Sequence, residues 1–349
     1  MPAKPRSEVF EPHEVGVYHC WNRLVQRRHL FGWDWLSGRD YGYRKNWVRE
    51  RLVELARGMA IDVLDYGILE NHLHLFLRNR PDIVAAWSDE EVARRWWYVC
   101  PLRRNKDRSI PEPLPCEIKL LMVNVDEYRK RLSDISWMMR LACQPIARRA
   151  NREDHVDGSF FGQRFKCKRL KTLADILALS IYVDLNVIRA GLAATPEESA
   201  FTSAYDRIRA RWQQTQRTLG TTLEVPAEAE ADAWLAPIFL DERADAYEGV
   251  PQSGGGPQGS PSEPIGYNPL GSPRVSNKGF LPTTLEQYLS LLDTLGRIVR
   301  SDKRGYIPAN LSPILERLQV DATSWLESLW DLFDEGSKAT AHPAFAGAG

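Results

Sequence analysis

No run of residues in this sequence is long and apolar enough to cross a bilayer. The opening MPAKPRSEVFEPHE also lacks the apolar centre of a secretory signal. Both absences point to a cytoplasmic protein. Cysteine is scarce, with five in 349 residues, at positions 20, 100, 116, 143 and 167. An odd number so widely spaced suits reduced thiols, not a disulfide framework or a zinc cluster. Net charge is absent too, with 46 Lys+Arg against 46 Asp+Glu. That zero is an average over two unlike parts. Residues 221–349 carry 9 Lys+Arg and 18 Asp+Glu, which leaves the first 220 residues with a surplus of cations. Such a division suits a basic part that meets polyanions and an acidic part that does not. Charge alone reads equally well as two ordinary solvated surfaces.

What is present is a globular composition, 43% hydrophobic and 26% charged. Three regions follow from the pattern. Residues 14–215 carry regular apolar periodicity. Residues 216–280 are acidic and end in PQSGGGPQGSPSEPIGYNPLGSPRV (251–275), a Gly/Pro/Ser-rich linker. Residues 281–336 show helical patterns, TLEQYLSLLDTLGRIVR, LSPILERLQ and TSWLESLWDLF, expected to form a small helical tail domain.

In the first region GVYHCWNRLV (16–25) reads as a strand. NWVRERLVELARGM (46–59) reads as an amphipathic helix, with Val48, Leu52, Leu55 and Met59 inward and Arg49, Arg51 and Arg57 outward. IDVLDYGIL (61–69) and HLHLFLR (72–78) read as strands joined by a break at Glu70–Asn71. Residues 80–124 look like an irregular insertion. A long helix is expected over about 126–150, with Pro145 kinking it or ending it early. GSFFGQRFKCKRLK (158–171) reads as a strand with Arg164, Lys166 and Lys168 on one face. TLADILALSIYVDLNVIRAG (172–191) reads as a helix capped by Thr172, stopped at Gly191, and buried along Leu173, Leu177, Ile181, Leu185 and Ile188. Strand, helix, strand, strand, helix, strand, with a further helix packed on it, is an α+β order of the ferredoxin-like β-α-β-β-α-β type.

Alternation places His72 and His74 on the same strand face, two rises of about 3.3 Å apart. Alone, the pair reads more readily as ordinary sheet residues than as half of a metal site. Tyr182 and Asn186 lie one helical turn apart and off the apolar stripe, so they are neighbours. A tyrosine can be a packed residue with a bonded hydroxyl, an asparagine can be surface solvation, and a cationic row can be a solvated face. Together they suit phosphodiester cleavage by transesterification. A phenol is a fair nucleophile and a fair leaving group. Two imidazoles and a carbonyl oxygen leave room for phosphate on Mg²⁺ or Mn²⁺. Arg164, Lys166, Lys168 and Arg169 supply attraction to a DNA backbone.

On the segments ENHLHLFL, FFGQRFKCKRL and IYVDLNVIRAGL, the chain resembles the IS200-like single-tyrosine HUH transposases, specifically the REP-associated tyrosine transposase branch. The resemblance covers roughly residues 14–210, with Val187 standing where Pro often follows the Asn. It implies a ferredoxin-like catalytic domain, His72, His74 and Asn186 as metal ligands, and Tyr182 as nucleophile. The implied partner is single-stranded or hairpin DNA, with self-association left open. Tyr98, in the insertion, and Tyr128, on a buried stripe, are weaker nucleophile candidates. Two other readings fit the same residues. One is a single-stranded nucleic-acid-binding protein without chemistry. The other is a replication initiator or relaxase using the same HUH chemistry.

Overall fold

The computed structural model describes residues 10–218, 230–240 and 268–318. Strand β1 (Gly16–Arg23) leads through a small hairpin, β2 (Trp33–Asp34) and β3 (Arg39–Asp40), into helix α1 (Arg44–Gly58). Strands β4 (Ile61–Ile68) and β5 (His72–Asn79) follow as a hairpin closed by Leu69 and His72. Helices α2 (Pro81–Ala86), α3 (Asp89–Val99), α4 (Pro115–Met122), α5 (Val125–Leu132) and α6 (Ile135–Asp154) then lead to β6 (Lys166–Leu170). Helices α7 (Leu173–Arg189) and α8 (Ser203–Thr218) come next, then α9 (Leu285–Arg297) and a short α10 (Ile314–Arg317).

This is a mixed α+β fold around a four-stranded sheet in the order β4-β5-β1-β6. Every neighbouring pair is antiparallel. β5 lies between β4 and β1, so the crossover through α1 spans a strand, and the connection through α6 spans β1 in the same way.

Alternation along β5 works as the sequence implies. Leu73, Leu75 and Leu77 join one hydrophobic cluster with Leu52, Leu55 and Met59 of the α1 segment and Met138 and Met139 of α6. Phe76 points the other way, into a second cluster with Ile181, Val183 and Leu185 of α7 and Tyr288, Leu289 and Leu292 of α9. Because both faces are covered, β4 is buried along its whole length. An extra residue at Leu64 bulges β4 between Val63 and Asp65, and Arg207 of α8 donates to the Leu64 carbonyl at 2.6 Å.

Several expectations need correction. Residues 80–124 are not irregular throughout, since α2, α3 and α4 lie there and α3 is capped by Ser88. The long helix is two, because Asp134 caps a new start by accepting from the Trp137 N–H. Pro145 does not end α6, which continues to Asp154. The Leu141 carbonyl, one turn before Pro145, has no helical N–H to accept. Arg51 donates to it at 3.1 Å and to the Val99 carbonyl at 2.7 Å, so Arg51 is buried and does not look outward. The strand expected at 158–171 is regular only over Lys166–Leu170. Cys20 and Cys167, far apart in sequence, face each other across β1 and β6, Sγ to Sγ 3.6 Å.

The tail expected as a separate helical unit shares, in its described part, the second hydrophobic cluster with α7. The third tail pattern, TSWLESLWDLF, and most of the linker lie outside the described residues.

Candidate active site

Directly opposed residues of an antiparallel pair share a face. Along β1, His19 stands opposite Phe76 and Lys168, Trp21 opposite His74 and Lys166, and Arg23 opposite His72. One face of the sheet therefore carries three histidines, a tryptophan and the cations Arg23, Lys166 and Lys168. All three cations are exposed.

The imidazoles are in contact. The His72 and His74 ring centroids lie 4.8 Å apart with the planes nearly perpendicular. His74 Nδ1 meets His19 Nε2 at 2.9 Å. His72 Nδ1 meets the Asn71 side-chain oxygen at 2.6 Å, so it carries the proton and Nε2 keeps its lone pair. Burial holds His72 neutral, with its pKa lowered to about 4, and the positive charge of Arg23 adds to this. His19 is also lowered to about 4, by burial first and by Lys168 second. His74 is pushed well below the ordinary value by burial, with the other two imidazoles and Arg23 contributing. Neutral imidazole is the form that can ligate a metal.

Helix α7 brings the remaining groups. Thr172 caps it, accepting from the Asp175 N–H at 3.1 Å. Gly191, at φ +74°, ends it, with Leu192 N–H bonding the Val187 carbonyl and Gly191 N–H bonding that of Ile188. Its burial is wider than one stripe and includes Ile176, Ser180, Val183, Asp184 and Val187, whereas Leu173 is exposed. The reason is that the sheet covers one side of α7 and α9 the other. Asp184 accepts from Tyr288 Oη at 2.6 Å and from the Ala204 N–H at 3.0 Å. Burial and the nearby Asp65 raise its carboxyl to about 7. Arg189 donates to the Leu295 and Ile298 carbonyls at the end of α9, both at 2.7 Å.

Gly67 stands opposite His74, and a Cβ there would come within 3.2 Å of the Val183 side chain. The missing side chain lets α7 settle on β4 next to His74. Tyr182, 46% exposed, then stands perpendicular to the His74 ring at 5.9 Å between centroids. Asn186 is half-buried one turn on. Two buried nitrogens here, His74 Nε2 and Asn186 Nδ2, have no hydrogen-bond partner among the described residues. Leaving such a group unmade costs about 1–3 kcal/mol, so an orphan at a cluster points to a ligand or water.

The cationic residues divide. Lys166 and Lys168 share the histidine face. Arg169 stands opposite Tyr18, turns to the other face, and pairs with Glu14 at 3.0 Å. Arg164 precedes the strand and lines a cleft with Asn22, Met139 and Cys143, so it is not in the row. Tyr98 is engaged elsewhere, donating to Glu112 at 2.6 Å, and Tyr128 stacks on Trp96. The sequence reading missed His19, Trp21 and Arg23. Their signal was the alternation in YHCWNR, where Tyr18 and Cys20 are fully buried between them.

Among the described residues, no group of three or more His, Cys, Asp or Glu side chains is arranged to hold a metal ion. A metal here would rest on the two imidazoles, the Asn186 amide and ligands from outside the chain. No helix among those residues is long and apolar enough to cross a membrane.

No protein-family model matches this chain, and no curated protein does. A search of solved structures finds one of a REP-associated tyrosine transposase bound to a REP hairpin. It aligns over 61% of this chain and 87% of the other, at 11% identity and a TM-score of 0.31. Likeness at that level does not by itself establish a shared fold.

Proposed function

We propose that this chain cleaves and rejoins single-stranded, hairpin-forming DNA through a phosphotyrosine at Tyr182, with Mg²⁺ or Mn²⁺ held by His72, His74 and Asn186. The observation that carries the reading is the packing of Tyr182 against His74, whose buried Nε2 has no partner among the described residues. The strand order, with each helical crossover spanning one strand, supports taking the core as ferredoxin-like, and the three sequence segments support the single-tyrosine transposase family.

In this reading the Tyr182 oxygen attacks phosphorus and loses its proton. A tyrosyl–phosphate bond forms, and the bond to the leaving strand's sugar oxygen breaks. That oxygen takes up a proton. Joining reverses the exchange, with a strand-end hydroxyl displacing the phenol. A divalent ion, when bound, would neutralise charge on the non-bridging phosphate oxygens. Asn71 holds His72 with Nε2 free, and Gly67 keeps α7 close. Lys166, Lys168 and Arg23 attract the backbone without reading sequence. Arg164 and Arg169, off this face, would touch DNA only where the strand passes the sheet edge.

The test is incubation of the protein with a hairpin-bearing single strand and Mn²⁺, followed by denaturing electrophoresis. A covalent adduct is expected, and it should vanish in Tyr182→Phe. No adduct with the wild type, or an undiminished yield in the variant, would count against the reading. Binding without chemistry is the second reading, favoured by the aromatic and cationic residues on one face. Tight single-strand binding with no divalent-ion uptake at His72 and His74 would select it.

A further inference from the structure

The segment between β1 and α1 is a candidate surface that the reaction above does not use. Trp33 is 58% exposed, Trp35 73% and Leu36 57%, on the β2–β3 hairpin. Large apolar side chains this exposed, side by side, call for a partner. The hairpin that holds them is firmly built. Asp34, between the two tryptophans, is fully buried. It accepts from Arg28, from the His29 N–H at 3.3 Å, and from the Ser37 N–H and hydroxyl at 2.9 and 2.8 Å. The turn closes with Gly38 at φ +64°, its N–H on the Asp34 carbonyl at 2.8 Å. Trp33 and Trp35 are thus held out by a fixed scaffold.

The scaffold is fastened to the strand end that carries His72. Leu24 N–H bonds the Asn71 carbonyl at 2.9 Å, and Phe31 N–H bonds the Glu70 carbonyl at 3.0 Å. Gly32 lies against the Glu70 side chain, where a Cβ would come within 2.6 Å. Around the tryptophans the exposed charge is mainly positive: Arg23 at the end of β1, Arg27 in the following turn, and Arg39 on β3. Of the two carboxylates on the hairpin, Asp34 is turned inward and paired with Arg28, while Asp40 is exposed opposite Trp33, against the three cations.

We infer that this hairpin is a base-stacking platform, on which unpaired bases of a DNA strand lie against Trp33 and Trp35 while Arg23 and Arg27 hold the adjoining phosphates. Exposed aromatic faces interleaved with cations are what single-stranded nucleic acid needs, because every base has a π-face and every linkage a negative charge. A protein partner or a neutral lipid surface would use the apolar area without needing the cations, and an anionic lipid surface, which would use both, is separated by vesicle binding in the test below. The inference rests on the proposed function for the identity of the strand, and it adds where that strand is gripped outside the reacting centre.

The experiment measures binding of the full chain to a fluorescent oligothymidylate and to a duplex of equal length, by anisotropy, in EDTA at one fixed salt concentration. Trp33→Ala and Trp35→Ala should each weaken single-strand binding about 5- to 150-fold, with Phe variants retaining most of it. Duplex binding should change little, and thermal unfolding should match the wild type. Unchanged single-strand affinity in both Ala variants, or equal losses on single strand and duplex, would overturn the inference. So would loss of self-association or of vesicle binding in the variants without loss of DNA binding. Adduct formation by the wild type separates the two ideas. If the Trp→Ala variants lose single-strand binding and the wild type forms no adduct, the platform stands and the proposed chemistry fails. If the adduct forms while the Trp variants bind as the wild type does, the chemistry stands and the platform fails.

Discussion

Acid should weaken this protein through its histidine face. Burial holds His19 and His72 neutral in the fold, each with a pKa near about 4. In the unfolded chain an imidazole has its ordinary pKa of about 6.5. Between those values the unfolded state binds more protons, so stability is complete above pH 6.5 and falls as the pH drops towards 4. At pH 5 each of the two groups accounts for a loss of about 2 kcal/mol, and about 4 kcal/mol together if they titrate independently. His74, lowered by burial and by its two neighbours, adds to the loss in the same sense. Against a total stability of about 5–15 kcal/mol this is a large share. The assay is urea unfolding in EDTA at pH 7.5 and pH 5, with the wild type, His19→Gln and His72→Gln. Carboxylates contribute equally in all three, so the difference isolates the imidazoles. Each variant should lose about 2 kcal/mol less than the wild type on going to pH 5. Equal losses in all three would refute the reading that burial holds these imidazoles neutral.

Other outcomes follow from the packing. Gly67→Val should push α7 off β4, lowering adduct yield at least tenfold while the protein stays folded, since overpacking here costs about 1–3 kcal/mol; full activity would show that Tyr182 does not depend on this contact. Arg51→Met leaves the Leu141 and Val99 carbonyls without their donor and should destabilise by about 2–4 kcal/mol in chemical unfolding. Pro145→Ala restores an N–H to Leu141 and should recover about 1 kcal/mol of that loss, so simple additivity of the two changes would contradict the account. Thr172→Ala removes the α7 cap and should lower stability by about 1 kcal/mol in thermal or urea unfolding, with little change at the histidine face.

Local chemistry determined a good deal. The alternation of His72, Leu73, His74 and Leu75 predicts which residues enter the core, because side chains on a strand alternate whatever lies around it. Thr172 and Gly191 bound the tyrosine helix because caps act within one turn. Alternation also implied that Arg169 faces away from Lys168, although the sequence reading grouped them. Strand register is a different matter. It depends on which strands pair and how far they slide, and no local pattern states that His19 meets His74 or that Trp21 lies between Lys166 and His74. The placement of Tyr182 beside His74 needed Gly67 to admit α7, and α9 to hold it through Tyr288 and Asp184. The burial of Arg51 is tertiary as well, since a cation enters the core only when partners converge on it, here the carbonyls left free before Pro145 and at the end of α3 together with the Glu54 carboxylate. What the residues alone decided is the set of groups on each face; what the packing decided is which of them touch, because contact between distant segments is settled by burial and register and not by neighbours in the chain.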